Sequence, residues 1–301
     1  MKRLIVNNLG PIQSANVRFG DLTVLVGPQA TGKSLFLQLF KLLCDGASIA
    51  QTLKSYGRNW SKDPQGFFDL YFGEGMRNIW HEDSNINSFH FYTEPLPPGV
   101  KTDTFRRVWK NENLSKVGLA SKEKERIFYV PAQRVLSIES GYPRPFKDFN
   151  LFDPYVLKRF SGELNEIMSG FMVDGEDKTL FPIQGRLKSE IRHKLDESIF
   201  HGSEVRLETE DFQTRLKLKQ GGFNLPFMSW STGQKEFVPL MLGLYKLLLP
   251  TAASKNAQYE YVIIEEPEMG LHPEAIQTFM LLALELVARG YKVLISTHST
   301  A

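Results

Sequence analysis

A glycine-rich stretch near the start of the chain has the residue types and spacing of a phosphate-binding loop. Residues 27–34 read GPQATGKS, follow the apolar run LTVLV and precede a stretch with helical spacing. Glycine lets backbone amides approach phosphate oxygens closely, and a helix start adds partial positive charge. In a phosphate-binding loop, Lys33 would contact the β- and γ-phosphates and the Ser34 hydroxyl would bind Mg²⁺. The alternative interpretation is a chance glycine-rich turn before a helix. The nucleotide contacts predicted here are Gly27, Pro28, Gln29, Ala30, Thr31, Gly32, Lys33, Ser34 and Leu35.

Two adjacent glutamates end a second apolar run, YVII at 261–264. A run this apolar is typical of a strand buried on both faces, where a carboxylate needs a partner. Side chains alternate along a strand, so Glu265 and Glu266 are expected to point to opposite faces. We predict that Glu265 binds the metal beside Ser34, and that Glu266 orients and deprotonates the attacking water. The alternative is an exposed strand end with solvated acids, which Pro267 would suit equally.

A third stretch, WSTGQKE at 230–236, precedes a predicted helix at 237–249. Ser231 with Gln234 three residues later is a capping box, so an ordinary helix start is one interpretation. The Ser231 hydroxyl and the Gly233 amide would also suit phosphate at a positive helix end. One nucleotide seldom needs two such ends from one subunit, so we predict that two copies pair head to tail. The candidate contacts are Ser231, Thr232, Gly233 and Gln234.

Two more strand ends carry polar residues that could complete the site. In VLISTHS, His298 could donate a hydrogen bond to the γ-phosphate, although a histidine after a strand is more often structural. In YVPAQR, Gln133 could bind the metal or the water, and Arg134 could meet phosphate or an acid. The predicted catalytic residues are Lys33, Glu266 and His298. The predicted metal ligands are Ser34, Gln133 and Glu265.

In this order, the five stretches resemble the ABC-type ATPase heads of the SMC-like and RecF-like branch. They look most similar to bacterial ATPases related to the OLD (overcoming lysogenization defect) family. The similarity covers residues 1–44 and 226–300. It implies ATP as the nucleotide, Mg²⁺ as the metal, and an ATP-dependent homodimer. It also implies a role for each stretch. Residues 27–34 would be the Walker A loop, 231–234 the signature and 269–272 the D-loop. Gln133 would be the Q-loop residue, Glu265 the Walker B acid, Glu266 the catalytic base and His298 the switch histidine.

The chain departs from the pattern of these heads at two positions. Glu265 stands where aspartate is commoner, which lengthens the reach to the metal by one methylene. The signature reads STGQ instead of LSGGQ, so Thr232 stands where glycine is usual.

The resemblance implies one α/β domain with the P-loop NTPase fold of ABC-type ATPases. We expect a mixed β-sheet core with flanking helices, an N-terminal antiparallel β subdomain and a helical insertion lobe. The core would comprise residues 1–44, 126–134 and 226–301. A β- and loop-rich insertion would occupy 45–125, and a helical lobe with a hairpin 143–225.

Local patterns predict the individual elements. Residues 22–26 are apolar enough for a central strand, and residues 34–44 for a helix ending at Cys44, which we expect to be buried. The predicted strands are 4–6, 15–19, 22–26, 126–130 and 293–296. The predicted helices are 34–44, 237–249 and 275–289. The aromatic stretch FFDLYFGEG is predicted to form short strands and loops.

Bulk composition sets outer limits on function. The formal net charge of +2 over 301 residues does not predict wholesale nucleic-acid binding. The single cysteine cannot form an internal disulfide, and the apolar runs are too short for a signal peptide or a membrane span. We therefore expect a cytoplasmic protein without membrane contact. Because the chain stops directly after the histidine turn, we expect the native protein to continue beyond Ala301.

Several functions fit these features. The first is an ATP-switched dimer that gates an effector nuclease or toxin, in cis or as a separate subunit, in anti-phage defence. The alternative is an SMC- or RecF-like DNA repair ATPase that binds DNA directly, through basic clusters at 101–110 and 185–194; solvated helix faces are the other interpretation of both clusters. A transporter ATPase subunit and a small-molecule P-loop kinase fit less of the sequence.

Overall fold

The computed structural model describes residues 1–58, 66–89, 124–171, 177–183, 187–248 and 258–298. The strands, in chain order, are β1 (Arg3–Leu9), β2 (Ile12–Arg18), β3 (Leu22–Val26), β4 (Trp80–Phe89), β5 (Ile127–Val130), β6 (Ile138–Glu139), β7 (Tyr142–Pro143), β8 (Lys178–Phe181), β9 (Glu204–Glu210), β10 (Gln213–Gln220), β11 (Phe223–Pro226), β12 (Tyr261–Glu265) and β13 (Lys292–Thr297). The helices are α1 (Lys33–Ser55), α2 (Gly66–Phe72), α3 (Tyr155–Phe171), α4 (Ser189–Leu195), α5 (Thr232–Tyr245) and α6 (Pro273–Ala288). The basic cluster at 101–110 and the first two residues of the cluster at 185–194 lie outside the described residues.

A parallel sheet with strand order β3-β13-β12-β5 forms the centre of the fold. Every residue of β12 is buried, as expected for a strand covered on both faces. Alternate residues divide between two cores: Ile263 packs with α1 and the N-terminal strands, and Ile264 packs with α5 and α6. The carboxyl ends of the parallel strands therefore meet at one edge, where α/β proteins place their ligands.

The prediction that β3 is a central strand is wrong. Within the described residues, β3 pairs only with β13, so it is an edge strand of the parallel sheet. Val24 and Val26 are 43% and 50% exposed. Apolar composition misled the prediction because these two valines line an open cleft instead of a core.

Helix α1 runs to Ser55, so the predicted end at Cys44 is wrong, and the helix crosses the boundary placed between residues 44 and 45. The pair Asp45-Gly46 looks like a turn in the sequence. Asp45 is instead buried in the helix, where its carboxylate lies 3.0 Å from the Lys41 ammonium. Leu53 continues the buried face one turn before the end.

Helix α2 replaces part of the strands and loops predicted for the segment 45–125. Six of its seven residues are buried, and Phe67 stacks on Tyr71 one turn later. Aromatic residues favour strands statistically, but here they pack as neighbours on one helical face. The segment 45–125 also contains β4, which agrees with the strands predicted for it. Residues 90–123 of this segment lie outside the described part of the chain.

Two antiparallel sheets flank the parallel one. The first has the order β2-β1-β4 and forms the predicted N-terminal β subdomain. The second has the order β11-β10-β9-β8, so the predicted hairpin after α4 is part of a larger sheet. Parallel and antiparallel pairing thus occur in separate sheets. Among the described residues, no helix combines the length and apolarity needed to cross a membrane.

Candidate functional site

The glycine-rich loop lies between the end of β3 and the start of α1, as predicted. Gly32 has φ of 90° and precedes the first residue of α1. A Cβ at Gly32 would lie 2.5 Å from Cγ1 of Ile12, so both the backbone angle and the packing require glycine. The Gly27 amide donates to the Thr297 carbonyl at 3.3 Å, which joins the start of the loop to the end of β13.

The Lys33 ammonium lies inside the curve of this loop. It donates to the carbonyl oxygens of Gly27 and Pro28, at 2.5 and 2.6 Å. Its nitrogen is also 3.4 Å from Nδ1 of His298. Two residues that are 265 positions apart in sequence, both predicted to contact the γ-phosphate, therefore lie side by side.

Glu265 ends β12 with its carboxylate buried and held on both oxygens. The Tyr129 hydroxyl donates to Oε1 at 2.6 Å, and the Ala132 amide donates to Oε2 at 3.0 Å. Burial raises the pKa of Glu265, and hydrogen bonds from Tyr129, the Ala132 amide and Ser34 act against that rise. A buried carboxylate beside the Ser34 hydroxyl provides the paired oxygen ligands that Mg²⁺ prefers.

Glu266 points away from Glu265, but for a reason other than strand alternation. The strand ends at Glu265, and Glu266 takes the left-handed conformation with φ of 44°. Its amide donates to the Ser296 carbonyl at 2.8 Å. Its Oε1 lies 2.8 Å from Nε2 of His298, without the alignment of a hydrogen bond. Lys33, Glu266 and His298, the predicted catalytic residues, therefore form one contiguous group.

A third acid, Glu268, fixes the position of His298. No role was predicted for Glu268 from the sequence. Its Oε1 accepts hydrogen bonds from the Thr297 hydroxyl at 2.6 Å and from the His298 amide at 2.8 Å. Three nearby buried atoms lack a hydrogen-bond partner among the described residues: Glu268 Oε2, Ser296 Oγ and His298 Nε2. Buried polar atoms need partners, so this edge of the sheet fits a polar ligand such as a phosphate–Mg²⁺ group.

The predicted signature forms the first turn of α5. The Ser231 hydroxyl accepts from the Gln234 amide, and the Gln234 side chain accepts from the Ser231 amide, which confirms the capping box. A Cβ at Gly233 would lie 2.9 Å from the carbonyl oxygen of Gly270. The Thr232 methyl packs on the same glycine. The signature and the predicted D-loop of one chain are therefore in direct contact.

We expect Gly233→Ala to destabilise the chain through this contact. The new methyl must displace backbone, which typically costs about 1–3 kcal/mol, against a helix-propensity gain of about 1 kcal/mol. The control is Gly162→Ala in the middle of α3, where the new methyl would meet an arginine nitrogen of Arg159 at 4.0 Å. Urea unfolding of both variants measures the difference. Equal stability of the two variants would contradict the close contact.

Gln133 and Arg134 lie where the chain leaves β5, and they differ in exposure. Gln133 is exposed at the start of a short 3-10 turn, and its role as a metal ligand stays a prediction. Arg134 is fully buried and pairs with an acid: its Nε lies 3.4 Å from the Glu236 carboxylate. This ion pair supplies the acid that was one of its two predicted partners.

A cleft of 490 Å³ opens beside the phosphate-binding loop. Strands β2 and β3 form its walls, with Gln13 and Val26 among the lining residues, and Thr31 to Lys33 close one end. No motif in the sequence indicates this cleft, because side chains of two separate strands form it.

Comparisons with known proteins found one matching family and several similar proteins. A family described as "AAA domain, putative AbiEii toxin, Type IV TA system" matches residues 22–301. The OLD nuclease of Thermus scotoductus is 23% identical over 99% of this chain and 59% of its own length, so the chain spans about three fifths of that relative. An SMC head domain from Thermotoga maritima is 14% identical with a TM-score of 0.38, covering 99% of this chain and 89% of that one. The ATP-binding subunit of an ABC transporter is 15% identical with a TM-score of 0.37, covering 98% and 79%.

The family match and the sequence relative confirm the predicted recognition and the α/β P-loop fold class. The phosphate-binding loop, the two strand-end glutamates and the histidine turn all lie within the matched residues. The chain belongs to the family of AAA domains described as putative AbiEii toxins of type IV toxin–antitoxin systems.

Proposed function

We propose that this chain is a Mg²⁺-dependent ATPase whose ATP-bound form pairs head to tail with a second copy and switches an effector in anti-phage defence. One observation carries the ATPase: the ends of three parallel strands bring Lys33, Glu266 and His298 into contact. The buried Glu265 carboxylate lies next to them on the same sheet edge, with a hydrogen bond from Ser34.

The loop at 27–34 and the start of α1 would hold the phosphates. Backbone amides at a helix start favour anions, and the Lys33 ammonium needs only to exchange loop carbonyls for phosphate oxygens. The adjacent cleft of 490 Å³ would receive the ribose and the base. Ser34 and Glu265 would hold Mg²⁺, with Gln133 as a further ligand. The metal would offset phosphate negative charge.

The acid chemistry divides between the two glutamates. Glu265 is held by Tyr129 and the Ala132 amide, so its carboxylate is fixed toward Ser34. Among the described residues, no such pair of hydrogen bonds holds the Glu266 carboxylate. It lies against His298, where it would orient the attacking water and accept its proton. His298 and Lys33 would then face the γ-phosphate as donors.

Head-to-tail pairing would give the signature its ligand. Ser231 and Thr232 are exposed. The Gln234 amide already donates to the Ser231 hydroxyl, so the Thr232 and Gly233 amides of the first turn of α5 would be the ones that meet phosphate. Because this helix has 14 residues, its dipole adds to the attraction. The ATP bound by one copy would be covered by the signature of its partner.

The effector proposal rests on the relative named OLD nuclease, in which this chain corresponds to only part of the length. We propose a nuclease or toxin, in cis or as a separate subunit. Direct DNA binding stays a prediction. On β9 and β10, Glu204 lies opposite Lys219 and Glu208 lies opposite Arg215, so acids of one strand face bases of the other.

Phosphate release from ATP by the purified chain tests the ATPase. We expect turnover with Mg²⁺ and none with EDTA. Ser34→Ala should weaken the affinity for Mg²⁺ by at least about 10-fold, because it removes a metal ligand. Ser55→Ala, at the other end of the same helix, is the control and should behave like the parent. Equal Mg²⁺ dependence of both variants would refute the assignment of Ser34.

A further inference from the structure

One fully buried arginine joins three main-chain carbonyls from two separate segments. Arg134 donates from Nε to the Glu236 carbonyl at 3.0 Å, from one Nη to the Glu265 carbonyl at 3.0 Å, and from the other to the Glu266 carbonyl at 3.2 Å. Its side chain has no exposed surface. The guanidinium therefore lies between the second turn of α5 and the end of β12.

The peptide units that Arg134 holds carry a strained residue. Glu266 has φ of 44°, a conformation that costs a non-glycine residue on the order of 1–3 kcal/mol unless its surroundings enforce it. Arg134 binds the carbonyls on both sides of that φ rotation, and the Ser296 carbonyl binds the amide. Three contacts thus fix the backbone from which the Glu266 carboxylate extends toward His298.

Charge pairing alone does not explain this arginine. Burial lowers the pKa of Arg134, with Glu236 as the leading opposing influence. The ion pair with Glu236 is 3.4 Å long, and that carboxylate oxygen lacks a hydrogen bond. Well-packed apolar side chains often replace such buried pairs without loss of stability. What only a guanidinium supplies is a rigid planar fork that reaches several acceptors at once.

We propose that Arg134 is a positioning residue: it holds the left-handed backbone of Glu266 against the second turn of α5, and so orients the Glu266 carboxylate toward His298. This inference rests on the proposed ATPase. It predicts that Arg134 acts on turnover and leaves nucleotide binding by the loop at 27–34 unchanged. A misplacement of about 1 Å in a reacting group can lower a rate by about 100-fold.

Lys is the informative replacement, since it keeps the charge but lacks the rigid planar fork through which the guanidinium reaches carbonyls of two separate segments. We expect Arg134→Lys to lower kcat by about 100-fold while the affinity for a fluorescent ATP analogue stays within about threefold. The matched control is Glu236→Gln, which removes the ion pair and keeps the Glu236 carbonyl that accepts from Arg134. We expect that control to retain kcat within about threefold of the parent.

A double variant guards against misfolding of the single one. Arg134→Met with Glu236→Met replaces the buried pair by apolar side chains, and thermal unfolding shows whether the fold survives. We expect the double variant, once folded, to lose kcat as Arg134→Lys does. The inference would be overturned if Arg134→Lys or the double variant kept the kcat of the parent. It would also be overturned if kcat and ATP affinity fell equally, or if Glu236→Gln lost as much kcat as Arg134→Lys. If Lys33→Ala abolishes turnover in the same assay, the proposed ATPase stands whichever result appears.

Discussion

Replacing Lys33 with alanine is expected to abolish ATP hydrolysis by this chain. The ammonium lies within the loop at 27–34 and next to His298, and a preorganised donor at a developing negative charge is typically worth about 10²–10³ in kcat. The same change removes the cation that would hold the β- and γ-phosphates. We therefore expect ATP affinity to fall together with turnover, measured by fluorescent-analogue binding and by phosphate release.

Lys54→Ala in the last turn of α1 is the control, because it removes the same side chain from the same helix far from the loop. It should leave ATP affinity and turnover unchanged. Turnover retained by Lys33→Ala would sink the assignment of the loop as the phosphate site.

Glu266→Gln is expected to slow hydrolysis by about 10²–10⁴-fold, the usual contribution of a general base, and to leave ATP binding intact. The amide keeps the size and most contacts of the carboxylate but cannot accept the proton of the water. ATP-bound chains should then accumulate as dimers. Size-exclusion chromatography with and without ATP measures this, and a variant that stays monomeric with ATP argues against head-to-tail pairing of this chain.

The same substitution one residue earlier provides the contrast. Glu265→Gln changes the carboxylate that Tyr129 and the Ala132 amide hold toward Ser34, so it should weaken Mg²⁺-dependent ATP binding instead of trapping the dimer. Titration of Mg²⁺ at fixed ATP separates the two variants. Identical behaviour of both glutamine variants would show that metal binding and proton acceptance are not separate roles of Glu265 and Glu266.

Features set by local sequence were predictable. The loop at 27–34, the capping box at Ser231 and the buried strand ending at Glu265 all depend on residues close in sequence. Each has a physical signature that needs no knowledge of the rest of the fold: glycines with a helix start, a serine three residues before glutamine, and an apolar run. The motif residues came together at one sheet edge because parallel strands end there.

Features set by distant partners were not predictable. Asp45, the first residue beyond the predicted end of α1, is satisfied inside the fold by the Lys41 ammonium and by the Arg126 amide, which is 81 residues away in sequence. The edge position of β3 depends on which strands pair, and strand order leaves no trace in a single strand. Glu266 diverges from Glu265 through backbone strain, which simple strand alternation does not include.

Two contacts of the site could have been sought more directly. A buried glutamate demands donors, and Tyr129 in YVPAQR is a hydroxyl at the end of a neighbouring apolar strand. Glu268 is the third acid in EEPE, two residues after Glu266, and could have been tested as a partner of the histidine turn. Arg134 is different, because its hydrogen bonds go to main-chain carbonyls, and such contacts leave no sequence signal.

The contact between Gly233 and Gly270 has a consequence for how a pair of chains would open. In head-to-tail pairing, each chain would carry both the catalytic glutamate for its own ATP and the signature residues that contact its neighbour's ATP. Within one chain these two parts lie in direct contact, through the Gly233 backbone and the Thr232 methyl packed on Gly270. Separation of the signature from one ATP would then displace the catalytic glutamate at the other ATP. Such a dimer would come apart as a unit, so an attached effector would receive an all-or-none signal instead of a graded one.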